Sequence, residues 1–195
     1  MATLETGTGA STIVFAASGA RHVAISPAPT EHQGIKAYCE EQGIDLSRVR
    51  FVEQPSHVAL LHSWQPEPLA VVLIDGAHRF PFPILDWFYT APHLRKGGWM
   101  LVDDAFLGSV NVLVSFLRSE PSWSLERVFG ERTACFRKVG DAGETFDWLD
   151  SPFDKRWNFD YLPPMTRLMA SARHRLFQVA LLQKLVLRVK SRRGR

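Results

Sequence analysis

The chain has 195 residues, 46% of them hydrophobic and 22% charged, which is enough apolar material to bury a substantial core and excludes a disordered polypeptide. Its net charge of +3 is unevenly divided: residues 161–195 hold nine Lys or Arg and no Asp or Glu, leaving residues 1–160 with 14 basic and 20 acidic side chains, a balance of −6. The basic character therefore belongs to the tail, and one domain with an appendage is the expected organisation.

In chain order, short apolar runs alternate with longer helical patterns. Strands are predicted at Ala2 to Thr6, His22 to Ile25, Val49 to Glu53, Leu69 to Ile74 and Trp99 to Val102. Helices are predicted at Thr12 to Ala17, Thr30 to Gln42, Ser56 to Trp64 and Pro83 to Leu94. This βαβ alternation implies a parallel sheet, and Leu69-Ala-Val-Val-Leu-Ile74 lacks polar alternation, as a central strand buried on both faces requires. After a helix at about Ser109 to Ser119, Trp123 to Phe129 and Thr133 to Val139 flank Gly130-Glu-Arg132 as a hairpin.

Cys39 and Cys135 are too few for a disulfide framework and lack the paired spacing of a zinc site, so both are expected as buried thiols. The N-terminus has no charged segment followed by an apolar one. The longest apolar run, near Val179 to Val189, is interrupted by Gln183, Lys184 and Arg188 and falls short of the roughly 20 residues a membrane span needs. A cytoplasmic enzyme is the plain expectation.

Two fragments carry the chemistry. Glu5-Thr-Gly7-Thr-Gly9-Ala-Ser11 follows the first strand and opens a helix, where glycine brings backbone close to a ligand and unpaired N–H groups face it. A lone G-x-G is also an ordinary turn, and Ser11 stands where a dinucleotide fingerprint wants Gly or Ala. Asp75-Gly-Ala-His78 and Asp103-Asp104 follow the fourth and fifth strands, so their carboxylates are expected on one rim, at the edge where open α/β sheets bind ligands. Carboxylates so gathered repel one another unless protonated or bridged by a cation, and an all-oxygen set favours Mg²⁺. Asp103-Asp104 has the plainer reading of a helix cap.

Together Glu5-x-Gly7-x-Gly9, the strand-helix order, the terminal hairpin and Leu94-Arg-Lys-Gly-Gly98 resemble a class I S-adenosylmethionine (SAM) dependent methyltransferase over roughly residues 1 to 140. The resemblance implies a Rossmann-like α/β fold with a seven-stranded sheet, five parallel strands plus the terminal hairpin. It places Glu5, Gly7 and Gly9 along the methionine and ribose of SAM, adds Ser11 and Asp75 to the cofactor pocket, and sets Gln54 to Ser56 near the adenine. A turn at Gly97-Gly98 before the fifth strand is a habit of the family. Ile74-Asp75-Gly-Ala-His78 with Val102-Asp103-Asp104 is similar to cation-dependent O-methyltransferases of the macrocin type and, more distantly, to catechol O-methyltransferase. That similarity implies Asp75, Asp103 and Asp104 as ligands of a divalent metal such as Mg²⁺, and His78 as general base. An imidazole with a pKa of about 6.5 can take a hydroxyl proton at neutral pH.

Two features depart from the family. Its second strand usually ends in a carboxylate for the ribose hydroxyls, whereas Val23-Ala-Ile-Ser-Pro-Ala28 has none, leaving Ser26 and, reaching back from the next helix, Glu31 as substitutes. The chain also begins almost on the first strand, without the helices that generally cover the acceptor site, so the expectation is either a truncated start or another element that closes the pocket. A decayed, non-catalytic SAM-fold binding module is the alternative these departures support. A nicotinamide oxidoreductase would want Gly or Ala at Ser11 and an acid after the second strand. A nucleic-acid methyltransferase would want an acceptor motif where Asp75-Gly-Ala-His78 stands.

His57, His62 and His93 fall in predicted helices as surface imidazoles, and His22 and His32 are equally ordinary. Trp87, Phe88 and Tyr89 are expected mostly in the core, with Phe80 and Phe82 shaping a small-molecule or glycan acceptor pocket. Three segments follow: 1–146 as the methyltransferase domain, 147–164 as a linker rich in aromatics and proline, and 165–195 as a basic amphipathic helix. Such a helix suits either peripheral contact with an anionic membrane or a homo-oligomer contact, and nothing points to nucleic acid.

Overall fold

The computed structural model describes residues 1–64, 67–140, 151–153, 159–176 and 179. Residues 1–153 and 154–195 form two compact units. In the first, the strands are β1 (Ala2–Thr6), β2 (Arg21–Ile25), β3 (Val49–Val52), β4 (Leu69–Ile74), β5 (Leu94–Val102), β6 (Trp123–Phe129) and β7 (Thr133–Lys138). The helices are α1 (Ala10–Ala17), α2 (Pro29–Glu41), α3 (Ser56–His62), α4 (Phe82–Thr90) and α5 (Gly108–Ser119), with a 3₁₀ turn at Ala91–His93.

One seven-stranded sheet runs in the order β3-β2-β1-β4-β5-β7-β6. The first five strands are parallel and β7 pairs antiparallel with β5 and β6, as the pattern of five apolar runs and a hairpin predicted. Every residue of β1 is buried, and five of the six in β4. Leu4, Val72 and Met100 share one hydrophobic core with Leu113 and Leu117 of α5, which has its buried apolar residues on one face. Cys39 and Cys135 are buried thiols, pushed up in pKa by burial.

The fifth strand begins earlier than its apolar run. Leu69 pairs with Leu94 and Val71 with Trp99, so residues 95–98 bulge out of the ladder in place of the expected turn before the strand. Gly97 takes φ 77°, and a Cβ on Gly98 would lie 2.7 Å from Leu94 Cδ1 and 2.8 Å from the Arg95 carbonyl oxygen. The two glycines are there because the backbone folds against itself.

In the second unit, residues 164–176 are helical. The Phe159 and His174 rings meet at 6.1 Å, and Arg167 pairs with Asp160 at 3.2 Å. The expected domain boundary at 146, Trp148, Trp157, and Leu182, Leu185, Val189 and the basic run from Lys190 lie outside the described residues. No helix among the described residues is long and apolar enough to cross a membrane.

Candidate active site

Strand order reverses between β1 and β4, and in an open α/β sheet a crevice forms outside the carboxyl ends of the strands at such a point. The loops that leave these two strands touch. Asp75 N–H donates to the Thr6 carbonyl at 2.9 Å, and Gly7 sits at φ 90° where any Cβ would lie 2.1 Å from the Asp75 carbonyl oxygen. Only glycine fits there. Gly9 is different: its backbone is extended, and a Cβ would meet nothing within 4 Å.

A cleft of about 460 Å³ opens at this junction. Gly7 and Thr8 form its side nearest α1, Ser26 and Glu31 the β2 side, Ser56 and His57 the α3 side, and Asp75 the β4 side. Glu31 stands in the first turn of α2 and reaches back, accepting hydrogen bonds at Oε2 from Thr8 Oγ1 at 2.9 Å and from Ser26 Oγ at 2.8 Å. This places a carboxylate at the end of β2, where the strand itself has none, and leaves Oε1 for a ligand.

Three of the expected cofactor residues are used elsewhere. Glu5 is fully buried. Its carboxylate accepts hydrogen bonds from Ser11 Oγ at 2.6 Å and from Thr12 Oγ1, and lies 3.2 Å from Nε2 of buried His22, whose Nδ1 bonds Thr3 Oγ1 at 2.8 Å. Glu5 and Ser11 thus tie α1 to β1, and neither lines the cleft. Gln54 accepts from Ser63 Oγ at 2.5 Å and is turned to the end of α3. Gly9 also lies off the cleft wall, whereas Gly7, Ser26, Ser56 and Asp75 form it.

Beside the cleft, the ends of β4 and β5 bring the acids together with His78, but not as a set of three aspartates. Asp103 is held by Arg132, whose Nη2 lies 2.8 Å and Nε 3.0 Å from Oδ2, and by Thr133 Oγ1. Partial burial raises its pKa, yet these hydrogen bonds outweigh burial and hold Asp103 below the usual carboxylate value. Arg132 Nε also lies 2.8 Å from Asp104 Oδ1. The guanidinium from the β6–β7 turn thus pairs with both Asp103 and Asp104. The donors left facing one another are Asp75, His78 and Asp104, whose ligating atoms all lie within 4.8 Å. His78 Nε2 is 3.5 Å from Asp75 Oδ1, and Nδ1 is 3.6 Å from Asp104 Oδ2. Both separations exceed hydrogen-bond length, and Nε2 is buried without a hydrogen-bond partner. Ser109 Oγ donates to the His78 carbonyl and anchors its loop, and Asp104 stands at φ 51°, an uncommon backbone for a residue with a side chain.

Burial first, then the charges of Asp103 and Asp104, pushes Asp75 up to about 6 against the pull of His78. The sign of the consequence follows from linkage. An unfolded Asp75 ionises near 3.8 and the folded one near 6, so the folded state binds more protons between these values and loses stability as pH rises through them. Asp75→Asn should flatten that fall in thermal midpoint between about pH 4 and 6. A variant with the wild-type pH profile would show that Asp75 is not strained by its neighbours.

Some contributors went unread. His57 is a cleft residue rather than a surface imidazole, with its ring 5.1 Å from Phe82, which also lines the cleft. Its one signal was adjacency to Ser56. Asp86 of α4 is fully buried, with neither carboxyl oxygen in hydrogen-bond geometry, and burial raises its pKa against the Ser56 and Thr6 hydroxyls nearby. Of the aromatics, Trp87 and Tyr89 pack on the core while Phe88 and Phe80 are exposed.

A sheet of this order, with a glycine-pinned cleft at the switch point and acids at the next two strand ends, defines the class I methyltransferase fold. Residues 4–105 match the family model described as a methyltransferase domain, just over half of the chain, and the protein belongs to that family. The fold is shared with the O-methyltransferase TomG of Streptomyces achromogenes, involved in tomaymycin synthesis and solved with SAM, at 19% identity and TM-score 0.59 over 71% of this chain and 73% of that one. Cofactor-bound Rv0187 from MTB aligns at 18% identity and TM-score 0.60 over 72% and 73% of the two chains. An rRNA methylase from Streptococcus thermophilus aligns at 11% identity and TM-score 0.56 over 71% and 87%. No curated protein sequence matches.

Proposed function

We propose that this protein is a SAM-dependent O-methyltransferase acting on a hydroxyl of a small molecule or glycan, with residues 1–146 carrying the activity and His78 as general base. The observation that carries the reading is a cleft of cofactor size, walled by Glu31 and Asp75, that opens beside an imidazole set between two carboxylates. SAM brings a sulfonium, an ammonium and two ribose hydroxyls. Carboxylates on two sides of the cleft suit all three.

In this mechanism the acceptor hydroxyl gives its proton to the imidazole of His78, which is about a third exposed, as the oxygen lone pair attacks the methyl carbon. The C–S bond breaks, its electron pair stays on sulfur, and S-adenosylhomocysteine leaves. Asp75 and Asp104 hold the ring and stabilise the imidazolium that forms. Alignment of oxygen, methyl and sulfur supplies most of the acceleration, up to about 7 to 11 kcal/mol. Proteins with this fold include one serving tomaymycin synthesis and an rRNA methylase. The acids at the strand ends favour a small acceptor here, since Asp75 and Asp104 would repel a phosphate backbone.

A second reading is favoured by the orphaned Nε2 and the long gaps around it. The same three donors, Asp75, His78 and Asp104, would then hold a divalent cation, Mg²⁺ or a metal more tolerant of imidazole, and Asp103 would not take part. Such an ion would supply Lewis acidity to the acceptor hydroxyl.

Calorimetric titration with S-adenosylhomocysteine is expected to give a binding isotherm that EDTA leaves unchanged. No heat at millimolar ligand would sink the cofactor assignment and leave a decayed binding module. Turnover that survives EDTA supports His78 as base, and turnover lost to EDTA and restored by added Mg²⁺ or Mn²⁺ supports the cation.

A further inference from the structure

The helix at residues 164–176 is turned inside out for a helix in water. Met165, Leu168, Met169, Leu176 and Val179 are each more than half exposed, while Ala170 is buried and His174 meets Phe159 edge-on. With about 3.6 residues per turn, Met165, Leu168, Met169 and Leu176 fall on one stripe about 100° wide, and Ala172 lies within it. Arg173 and Arg175, both exposed, flank the stripe on its two edges. Arg167, on the opposite side, is engaged with Asp160.

We propose that this stripe docks on an anionic lipid bilayer, lying in the plane of the interface with Arg173 and Arg175 among the headgroups. Charge selects the occupant. Residues 161–195 carry nine Lys or Arg and no acid, so an apolar surface with negative charge at its border complements the stripe on both counts. A second copy fits poorly, because pairing two such stripes sets arginines against arginines. A nucleic acid would satisfy the charge and leave the apolar side chains in water. A peripheral docking of this kind needs no membrane-spanning helix.

The test uses the intact protein and co-sedimentation with phosphatidylcholine vesicles, with and without phosphatidylserine, at low and high salt. Binding is expected only with phosphatidylserine and is expected to weaken as salt rises. Arg173→Ala with Arg175→Ala should lower partitioning about 30-fold at low salt, from about 1 kcal/mol per basic residue. Leu168→Glu with Leu176→Glu should abolish it while the thermal midpoint of the sheet unit stays unchanged. Failure of the intact protein to bind anionic vesicles at low salt overturns the proposal, and so does unchanged binding by the double glutamate variant. A dimer that this variant converts to monomer, with no vesicle binding by the parent, would assign the stripe to a second copy instead.

Discussion

His78→Ala should lower kcat by about 10²- to 10⁴-fold and leave the affinity for S-adenosylhomocysteine within about twofold, measured with whichever hydroxyl acceptor supports wild-type turnover. The large effect is expected because His78 sits between Asp75 and Asp104 with an unused Nε2, and its loss removes the proton acceptor or, under the cation reading, a ligand. The small effect on cofactor is expected because His78 does not line the cleft. Two outcomes would refute the assignment: a variant with full kcat, or one that loses turnover and cofactor binding in equal measure.

The second large effect concerns Glu31. Glu31→Gln should raise the dissociation constant for S-adenosylhomocysteine about 10- to 100-fold, the worth of a hydrogen bond to a charged group. The physical basis is that Glu31 brings the one carboxylate on the β2 side of the cleft among the described residues, and both hydroxyls that hold it end on Oε2, so that Oε1 is the atom the proposed reading gives to a ribose hydroxyl. Ser26→Ala should cost less, since it removes only one of the two bonds that position Glu31. Unchanged affinity in Glu31→Gln, with wild-type thermal midpoint, would mean that the ribose lies elsewhere.

The parts of this protein legible in its sequence are those set by interactions between near neighbours along the chain. Leu69 to Ile74 reads as a doubly covered strand because no polar residue interrupts it, and Ala2 to Thr6 ends where glycine must begin. Asp75, Asp103 and Asp104 are placed on one rim by strand direction alone, since parallel strands end at the same edge. The β5 bulge is not legible in the sequence, because Gly97 and Gly98 signal a bend without saying whether pairing continues beyond it.

The duties of individual polar side chains were decided by tertiary structure. Glu5 and Asp103 look alike in sequence, as acids at strand ends in an expected site. Packing gives Glu5 to His22, Ser11 and Thr12, and gives Asp103 to Arg132, a residue 29 positions away on a hairpin turn. It also carries Glu31 back from α2 to the place the second strand leaves without an acid, and turns His57 into the cleft. Sequence alone determined the sheet, its order of elements and the edge where the chemistry sits, because hydrophobic periodicity and glycine geometry act over a few residues. Which carboxylate faces a ligand and which is already paired depends on charges brought within about 4 Å by the fold, and that distance is not written in the spacing of residues along the chain.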